Sequence, residues 1–291
     1  MAVNAKQLDH WLKKAGETSL SSIFRKPLIM GILNVTADSF SDGGTYLSVN
    51  KACDHAYKLI QQGADIIDIG GESSKPGASP VSLDVELDRV IPVIQKIRQY
   101  SDVCISIDTY KPEVMKAAVE AGAHLINDIY ALRQDGALAM AAHLSVPVCL
   151  MHMKGRPQTM QNSPCYNHGV MNELLVFFAK RIEACISAGI EKNNLILDPG
   201  FGFGKEDIHN MNILHHLETL YHFDIPILLG VSRKSTLGRL LNKDVDGRLT
   251  AGIAVAVYAA MKGVAIIRTH DVDETIQALH IIDAIHQARV C

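Results

Sequence analysis

Eight short aliphatic runs recur along the chain, and each is followed by a stretch long enough for a helix. The runs are Leu28–Val35, Asp65–Gly70, Val103–Asp108, His124–Ile129, Val146–Met151, Leu195–Asp198, Ile225–Val231 and Val264–Thr269. Each is rich in Ile, Val and Leu without regular polar alternation, which marks strands covered on both faces. The intervening stretches 51–62, 84–100, 112–121, 135–143, 172–188, 207–220, 249–261 and 273–287 carry apolar residues at helical spacing. Gly63, Gly122 and Gly189 stand where such helices should stop, and Pro112 stands at a plausible start. Strand and helix alternating eight times predict an α/β protein, a single closed (β/α)8 TIM barrel. An open doubly wound sheet shares the rhythm, but it wants a Gly-rich first turn of the dinucleotide-binding type, which this chain lacks. The barrel is expected to occupy residues 1–291 as one domain. A short extra helix at about residues 4–15 carries Leu8, Trp11 and Leu12.

Composition narrows the function. Lys+Arg is 28 and Asp+Glu is 31, a formal charge of −3, so no basic face favours a nucleic-acid partner. The six cysteines form no C-x-x-C pair and are expected to be reduced thiols. The N-terminus has no signal-like apolar region, and the longest apolar run, Ala251–Met261, is too short to span a bilayer. A cytoplasmic protein without a membrane partner is expected.

Barrel enzymes carry their chemistry at the C-terminal ends of the strands. Nearly every run here ends in polar residues: Asn34, Glu72-Ser73-Ser74-Lys75, Asp108, Asn127-Asp128, His152, Asp198, Ser232-Arg233-Lys234-Ser235 and Arg268-Thr269-His270-Asp271. One polar residue in an aliphatic strand is often a satisfied core group. A ring of them converging from eight strands reads as a catalytic mouth. Arg233, Lys234, Arg268 and His270 make an anion-binding sector, whereas Asp108, Asn127 and Asp198 suit a heterocycle that presents N–H donors. The plainer reading of the cations is ion pairing with those same carboxylates. Gly200-Phe201-Gly202-Phe203-Gly204-Lys205 lacks the spacing and the hydroxyl of a phosphate loop and reads as a flexible, aromatic-bearing loop. The histidines show no metal-ligand spacing.

Several of these blocks together resemble dihydropteroate synthase. Gly31-Ile32-Leu33-Asn34-Val35-Thr36-Ala37-Asp38-Ser39-Phe40-Ser41-Asp42-Gly43-Gly44 resembles that family's first signature, and Asp68-Ile69-Gly70-Gly71-Glu72-Ser73-Ser74-Lys75-Pro76-Gly77 its second. The blocks around Asp108, Asn127, His152, Asp198, Lys234 and Arg268 follow in order, so the resemblance covers most of the chain. It implies condensation of 6-hydroxymethyl-7,8-dihydropterin diphosphate with p-aminobenzoate to 7,8-dihydropteroate and diphosphate. This is a step of folate biosynthesis with Mg2+ on the diphosphate, inhibited by sulfonamides. It also implies a homodimer.

Carried over by position, Asp108, Asn127, Ile129, Met151, Asp198, Lys234 and Arg268 are the residues implied to hold the pterin. Asn34, Ser74, Lys75, Arg268 and His270 are implied at the diphosphate, with Asn34 the metal ligand. Ser74, Lys75, Pro76, Phe201, Lys234 and Ser235 are implied at p-aminobenzoate. The reaction centre then comprises Asp108, Asp198, Lys234 and Arg268. The implied route is SN1-like: diphosphate leaves, the loops after strands one and two close, and the neutral arylamine attacks. Two departures stand out. Ser74-Lys75 replaces the family's Thr-Arg, which keeps charge but loses the planar fork. Ala37 replaces a proline. Two other readings fit parts of the pattern: a methyltetrahydrofolate:corrinoid methyltransferase on the same scaffold, and a non-catalytic pterin-binding paralogue.

Overall fold

The computed structural model describes residues 4, 7, 8, 10–12, 25–36 and 44–288. Within them lie eight strands: β1 Leu28–Asn34, β2 Ile66–Gly70, β3 Cys104–Asp108, β4 Leu125–Asp128, β5 Val148–Met151, β6 Leu195–Asp198, β7 Leu228–Gly230 and β8 Ile266–Thr269. All pair in parallel, in the order β6-β5-β4-β3-β2-β1-β8-β7. A parallel bridge between Leu197 and Ile227 joins the two ends, so the sheet closes as the (β/α)8 rhythm predicts.

The helices are α1 Gly44–Gln61, α2 Leu83–Arg98, α3 Pro112–Glu120, α4 Ala137–Leu144, α5 Val170–Ser187, α6 Asp207–His215, α7 Ser235–Leu241, α8 Leu249–Met261 and α9 Val272–Gln287. Three details differ from the sequence reading. The stretch 207–220 splits into α6 and a 3-10 turn, Leu217–Phe223, because His216 leaves the helical region at φ −110°, ψ 26°. Strands five and seven start late, after Pro147 and Pro226, which have no N–H to give a ladder. Helix α7 follows directly from Lys234, inside what the sequence reads as a polar strand end.

Side chains alternate between the two sides of each strand, and this alternation builds the site. One parity (Ile29, Leu33, Ile67, Ile69, Ile105, Ile107, Leu197, Ile267) faces outward and packs under the helices. The other faces the barrel axis. At its lower level it is apolar on every strand: Met30, Ile66, Cys104, Leu125, Cys149, Ile196, Leu228 and Ile266. Leu8 and Leu12, at 0% and 2% exposure, close this floor from below. They sit on the expected extra helix, of which residues 7, 8 and 10–12 are described and helical; apart from Asn4, the remainder of 4–15 lies outside the described residues. Asn4 and Gln7 cap that turn reciprocally: Gln7 N–H donates to Asn4 Oδ1 (3.0 Å) and Asn4 N–H to Gln7 Oε1 (2.9 Å). No described helix is long and apolar enough to cross a membrane.

Candidate active site at the C-terminal mouth

Two residues above the apolar floor, the inward parity changes chemistry. That level reads Ile32, Asp68, Ser106, Asn127, Met151, Asp198, Gly230 and Arg268 around the strands. The next positions up include Asn34, Asp108, Ile129, Met153, Ser232 and His270. The same two-residue step on each rigid strand therefore aims a ring of polar groups at one space.

At the centre, Arg268 Nε donates to Asp68 Oδ2 (2.6 Å) and Nη2 to Asp108 Oδ2 (2.8 Å). Asn127 Nδ2 donates to the same Asp68 oxygen at 3.2 Å. Asp68 is fully buried, and its Oδ1 has no hydrogen-bond partner. Burial pushes the Asp108 carboxyl up, while the Arg268 guanidinium pulls it down. Burial opposes the charge on Arg268, but the two carboxylates outweigh it and raise the guanidinium further. Arg268 is thus committed to carboxylates, and the separate cationic sector expected from sequence does not form around it. The same holds for Arg233, which pairs with Asp271 at 2.6 Å. Asp68 itself escaped the sequence reading, which placed the polar end of strand two at Gly70 and beyond; the period-two alternation would have found it.

Asp198 stands across the ring. Its Oδ1 accepts the Gly200 N–H at 2.7 Å. Burial raises its pKa against the lowering effects of that hydrogen bond, Lys234 and Arg268. Lys234 Nζ lies 4.0 Å from the centre of the Phe203 ring. Burial, aided by Arg268, lowers the Lys234 pKa to about 8. Ile129 and Met151 pack with Met153, Met160 and Phe203 into an apolar wall, flanked by Tyr110 and Tyr130. The structure therefore gathers all seven residues expected at the pterin.

The other expected groups divide. His270 is beside the ring but neutral: burial and the Arg268 and Arg233 charges lower its pKa to about 3, and its Nδ1 lies 3.1 Å from Ser232 Oγ. Asn34 is half-buried at the end of β1. Ser74 is half-buried and Lys75 and Pro76 exposed on the loop after β2. That loop leans on the one after β5, with Gly77 N–H donating to Pro157 O (3.1 Å) and Gln158 Nε2 to Ala78 O (3.1 Å). Pro76 and Ser235 border one cavity of about 610 Å³, together with Lys205, Asp207 and Arg239. The loop base is bolted by Glu72, which the sequence places at the end of strand two, and by Glu86 and Lys111, which sequence reasoning missed. Glu72 accepts from Lys111 Nζ (2.7 Å), Tyr110 Oη (3.0 Å) and the Val81 N–H (3.1 Å), and buried Glu86 accepts from Thr109 Oγ1 (2.6 Å) and Lys111. Ala37 and the rest of the loop after β1 lie outside the described residues.

Two expectations need correction. Phe201 is not a wall of the mouth: at 1% exposure it packs in the outer layer between strands and helices, because the left-handed turn at Gly200 (φ 68°) sends it outward. Phe203 takes the mouth position instead. The loop 200–205, expected to be flexible, is tied down on three sides. Tyr166 Oη donates to Gly204 O (2.7 Å), Gln161 Nε2 to Gly202 O (2.5 Å), and Gly202 N–H to Asn210 Oδ1 (2.7 Å).

This site has known counterparts. Residues 30–270 match the family model described as pterin binding enzyme. The dihydropteroate synthase of Escherichia coli is 52% identical over 263 residues, covering 90% of this chain and 93% of that protein. That of Haemophilus influenzae is 48% identical over 258 residues, covering 89% and 94%. Among solved structures, Yersinia pestis dihydropteroate synthase in a sulfonamide complex superposes with a TM-score of 0.86 at 52% identity, covering 90% of this chain and 95% of that one. The Xanthomonas albilineans enzyme in complex with 7,8-dihydropteroate gives 0.81 at 43% identity, covering 91% and 95%. With its eight-stranded barrel, its ring of carboxylates around Arg268 and this extent of identity, the chain belongs to the dihydropteroate synthases, a family of pterin-binding enzymes.

Proposed function

We propose that the mouth condenses 6-hydroxymethyl-7,8-dihydropterin diphosphate with p-aminobenzoate, giving 7,8-dihydropteroate and diphosphate. The observation that carries this reading is the inward ring of Asn127, Asp198 and Arg268 one step above an apolar floor, with Asp108 one step higher. The pterin 2-amino and N3–H edge is a two-donor fork, and a carboxylate accepts such a fork bidentately, as it does from Arg. Asp198, fixed on a strand and by the Gly200 N–H, is assigned that part. Lys234 faces the pterin carbonyl edge, Arg268 lies along the ring, and Asn127, Ile129 and Met151 complete the pocket.

The reaction needs no strong base. Diphosphate departs with the bonding pair of the methylene C–O bond, leaving a cationic pterin methylene. The buried carboxylates Asp108 and Asp198 stabilise that charge in a low-dielectric site. The arylamine nitrogen then forms the C–N bond with its lone pair and releases its proton to water. Lys234, Ser235, Pro76 and Phe203 shape the p-aminobenzoate side, with Ser74 and Lys75 above it. His270 faces the diphosphate as a hydrogen-bonding group. Asn34 offers an amide oxygen at the mouth, which suits Mg2+, an ion that takes oxygen ligands and commonly binds with substrate phosphates. Bound there with the diphosphate, Mg2+ would neutralise leaving-group charge.

A cytoplasmic homodimer belongs to the same proposal. Support for the dimer comes from Met261 on α8 and Ile281 and Ile285 on α9, apolar side chains exposed on neighbouring helices. The test is direct. The protein is mixed with dihydropterin diphosphate, p-aminobenzoate and Mg2+, and released diphosphate is measured; release dependent on p-aminobenzoate and matched by dihydropteroate supports the reading. Pterin binding without release would make it a binding module, and methyl transfer from methyltetrahydrofolate to a corrinoid would make it the methyltransferase.

A further inference from the structure

The Gly200–Lys205 segment lacks the spacing of a phosphate loop, yet two of its glycines are obligatory. A Cβ on Gly200 (φ 68°) would lie 1.9 Å from His152 O, and one on Gly204 (φ 64°) 2.2 Å from Lys154 O. Only glycine permits this left-handed backbone to lie so tightly on the segment after β5. Lys205 then turns back into its own loop. Its Nζ, in a side chain 1% exposed, lies 2.8 Å from Gly200 O, 3.0 Å from Phe203 O, 3.2 Å from His152 O and 3.0 Å from His152 Nδ1.

An ammonium has three donors, and here three backbone carbonyls and the His152 ring nitrogen share them. His152 is neutral: burial, with the Lys205 charge next, lowers its pKa to about 2, so Nδ1 is not a competing cation. No carboxylate is among the contacts of Lys205 Nζ. Burial opposes the charge and, against the pull of Asp198, lowers the Lys205 pKa to about 7, while an apolar side chain in its place would leave these buried carbonyls without a donor. Two of these acceptors also connect the lysine to the mouth. Gly200 also donates its N–H to Asp198 Oδ1, and Phe203 also places its ring against Lys234.

We propose that Lys205 is a positioning residue for the reaction: its ammonium clamps the Gly200–Phe203 turn onto His152 and thereby sets the Asp198 carboxylate and the Phe203–Lys234 pair in pterin-binding geometry. The clamp rests on the reading of Asp198 as the pterin's partner. It explains why a Gly-rich segment ending in lysine stands here without the hydroxyl of a phosphate loop.

The test is a double-mutant cycle on pterin affinity. The dissociation constant for 6-hydroxymethyl-7,8-dihydropterin is measured by calorimetry in the wild type, Lys205→Met, Asp198→Ala and the double variant, with thermal unfolding in parallel. Lys205→Met is expected to weaken binding about tenfold or more in the wild-type background and less than about threefold when Asp198 is already alanine. Lys205→Gln, which keeps two donors, is expected to fall between wild type and Lys205→Met, and it carries the cycle if the methionine variant does not fold. A purely structural lysine would lower the unfolding temperature and leave the affinity of the folded protein within about threefold of wild type; that result, or two effects that simply multiply, overturns the proposal. A wild type that binds no pterin would instead overturn the assignment of Asp198, and the clamp's purpose with it.

Discussion

Replacing Arg268 by methionine should expose how the mouth holds its charges. The side chain of Arg268 bridges Asp68, fully buried, and Asp108, whose side chain is 14% exposed. Methionine fills most of the volume but leaves two carboxylates with no cation between them, and one Asp68 oxygen already lacks a partner. Breaking a buried pair from one side costs about 3–5 kcal/mol. At about 2.1 cal/mol/K per residue, unfolding a chain of this length carries an entropy near 0.6 kcal/mol/K, so roughly 4 kcal/mol lowers the Tm by about 6–7 °C. The deficit should depend on pH. Asp108, already pushed up by burial, loses the guanidinium that pulled it down. A carboxyl whose folded pKa lies above its unfolded value opposes folding at high pH, and that opposition fades as pH falls through the folded pKa. Urea unfolding at about pH 7.5 and about pH 5.5 should therefore show the larger loss at the higher pH. Adding Asp68→Asn and Asp108→Asn to Arg268→Met should restore part of the stability without restoring pterin binding. A loss below about 1 kcal/mol, or one equal at both pH values, would refute the reasoning.

The aromatic pair after β6 should separate by role. Phe201→Ala is expected to lower stability by about 3–5 kcal/mol and leave the KM for p-aminobenzoate unchanged, whereas Phe203→Ala should raise that KM with a smaller stability loss; the reverse pattern in steady-state kinetics would return Phe201 to the mouth. Lys75→Arg should leave activity intact or modestly tighten diphosphate binding, since the guanidinium restores a planar fork; a large loss of kcat/KM would deny Lys75 that place. His124 accepts from the Ile105 N–H (3.3 Å) and sits 3.0 Å from Arg98 Nη2; burial and Arg98 lower its pKa to about 4. A histidine depressed in the folded state contributes stability that is present above its unfolded value near 6.5 and is lost as pH falls toward about 4. His124→Asn should therefore lose about 1–2 kcal/mol less than wild type between about pH 7.5 and about pH 5, as read by urea titration.

How far the sequence revealed the molecule follows from which signals are local. Double-sided burial makes aliphatic runs, and these placed all eight strands within a few residues. The short helix α7 was invisible because its first residues, Ser235-Thr236, continue a polar stretch that reads as a strand end. Asp108, Asn127 and Asp198 were legible because strand ends in a barrel converge. Pairing of Arg268 with a mouth carboxylate such as Asp108 was open as the plainer reading, but its bond to Asp68 was not legible, since that partner lies 200 residues away and only closure of β8 against β1 brings the two together. The outward turn of Phe201 and the burial of Lys205 depend on left-handed glycines whose effect on direction cannot be read from spacing.

The most direct test of the whole account is a crystal structure of the protein with 6-hydroxymethylpterin and p-aminobenzoate bound. The pterin 2-amino and N3–H groups are expected on the two Asp198 oxygens at about 2.7–3.2 Å, with Phe203 and Lys234 on the p-aminobenzoate side. A pterin seated elsewhere in the mouth, or turned so that Asp198 faces another edge, would contradict it.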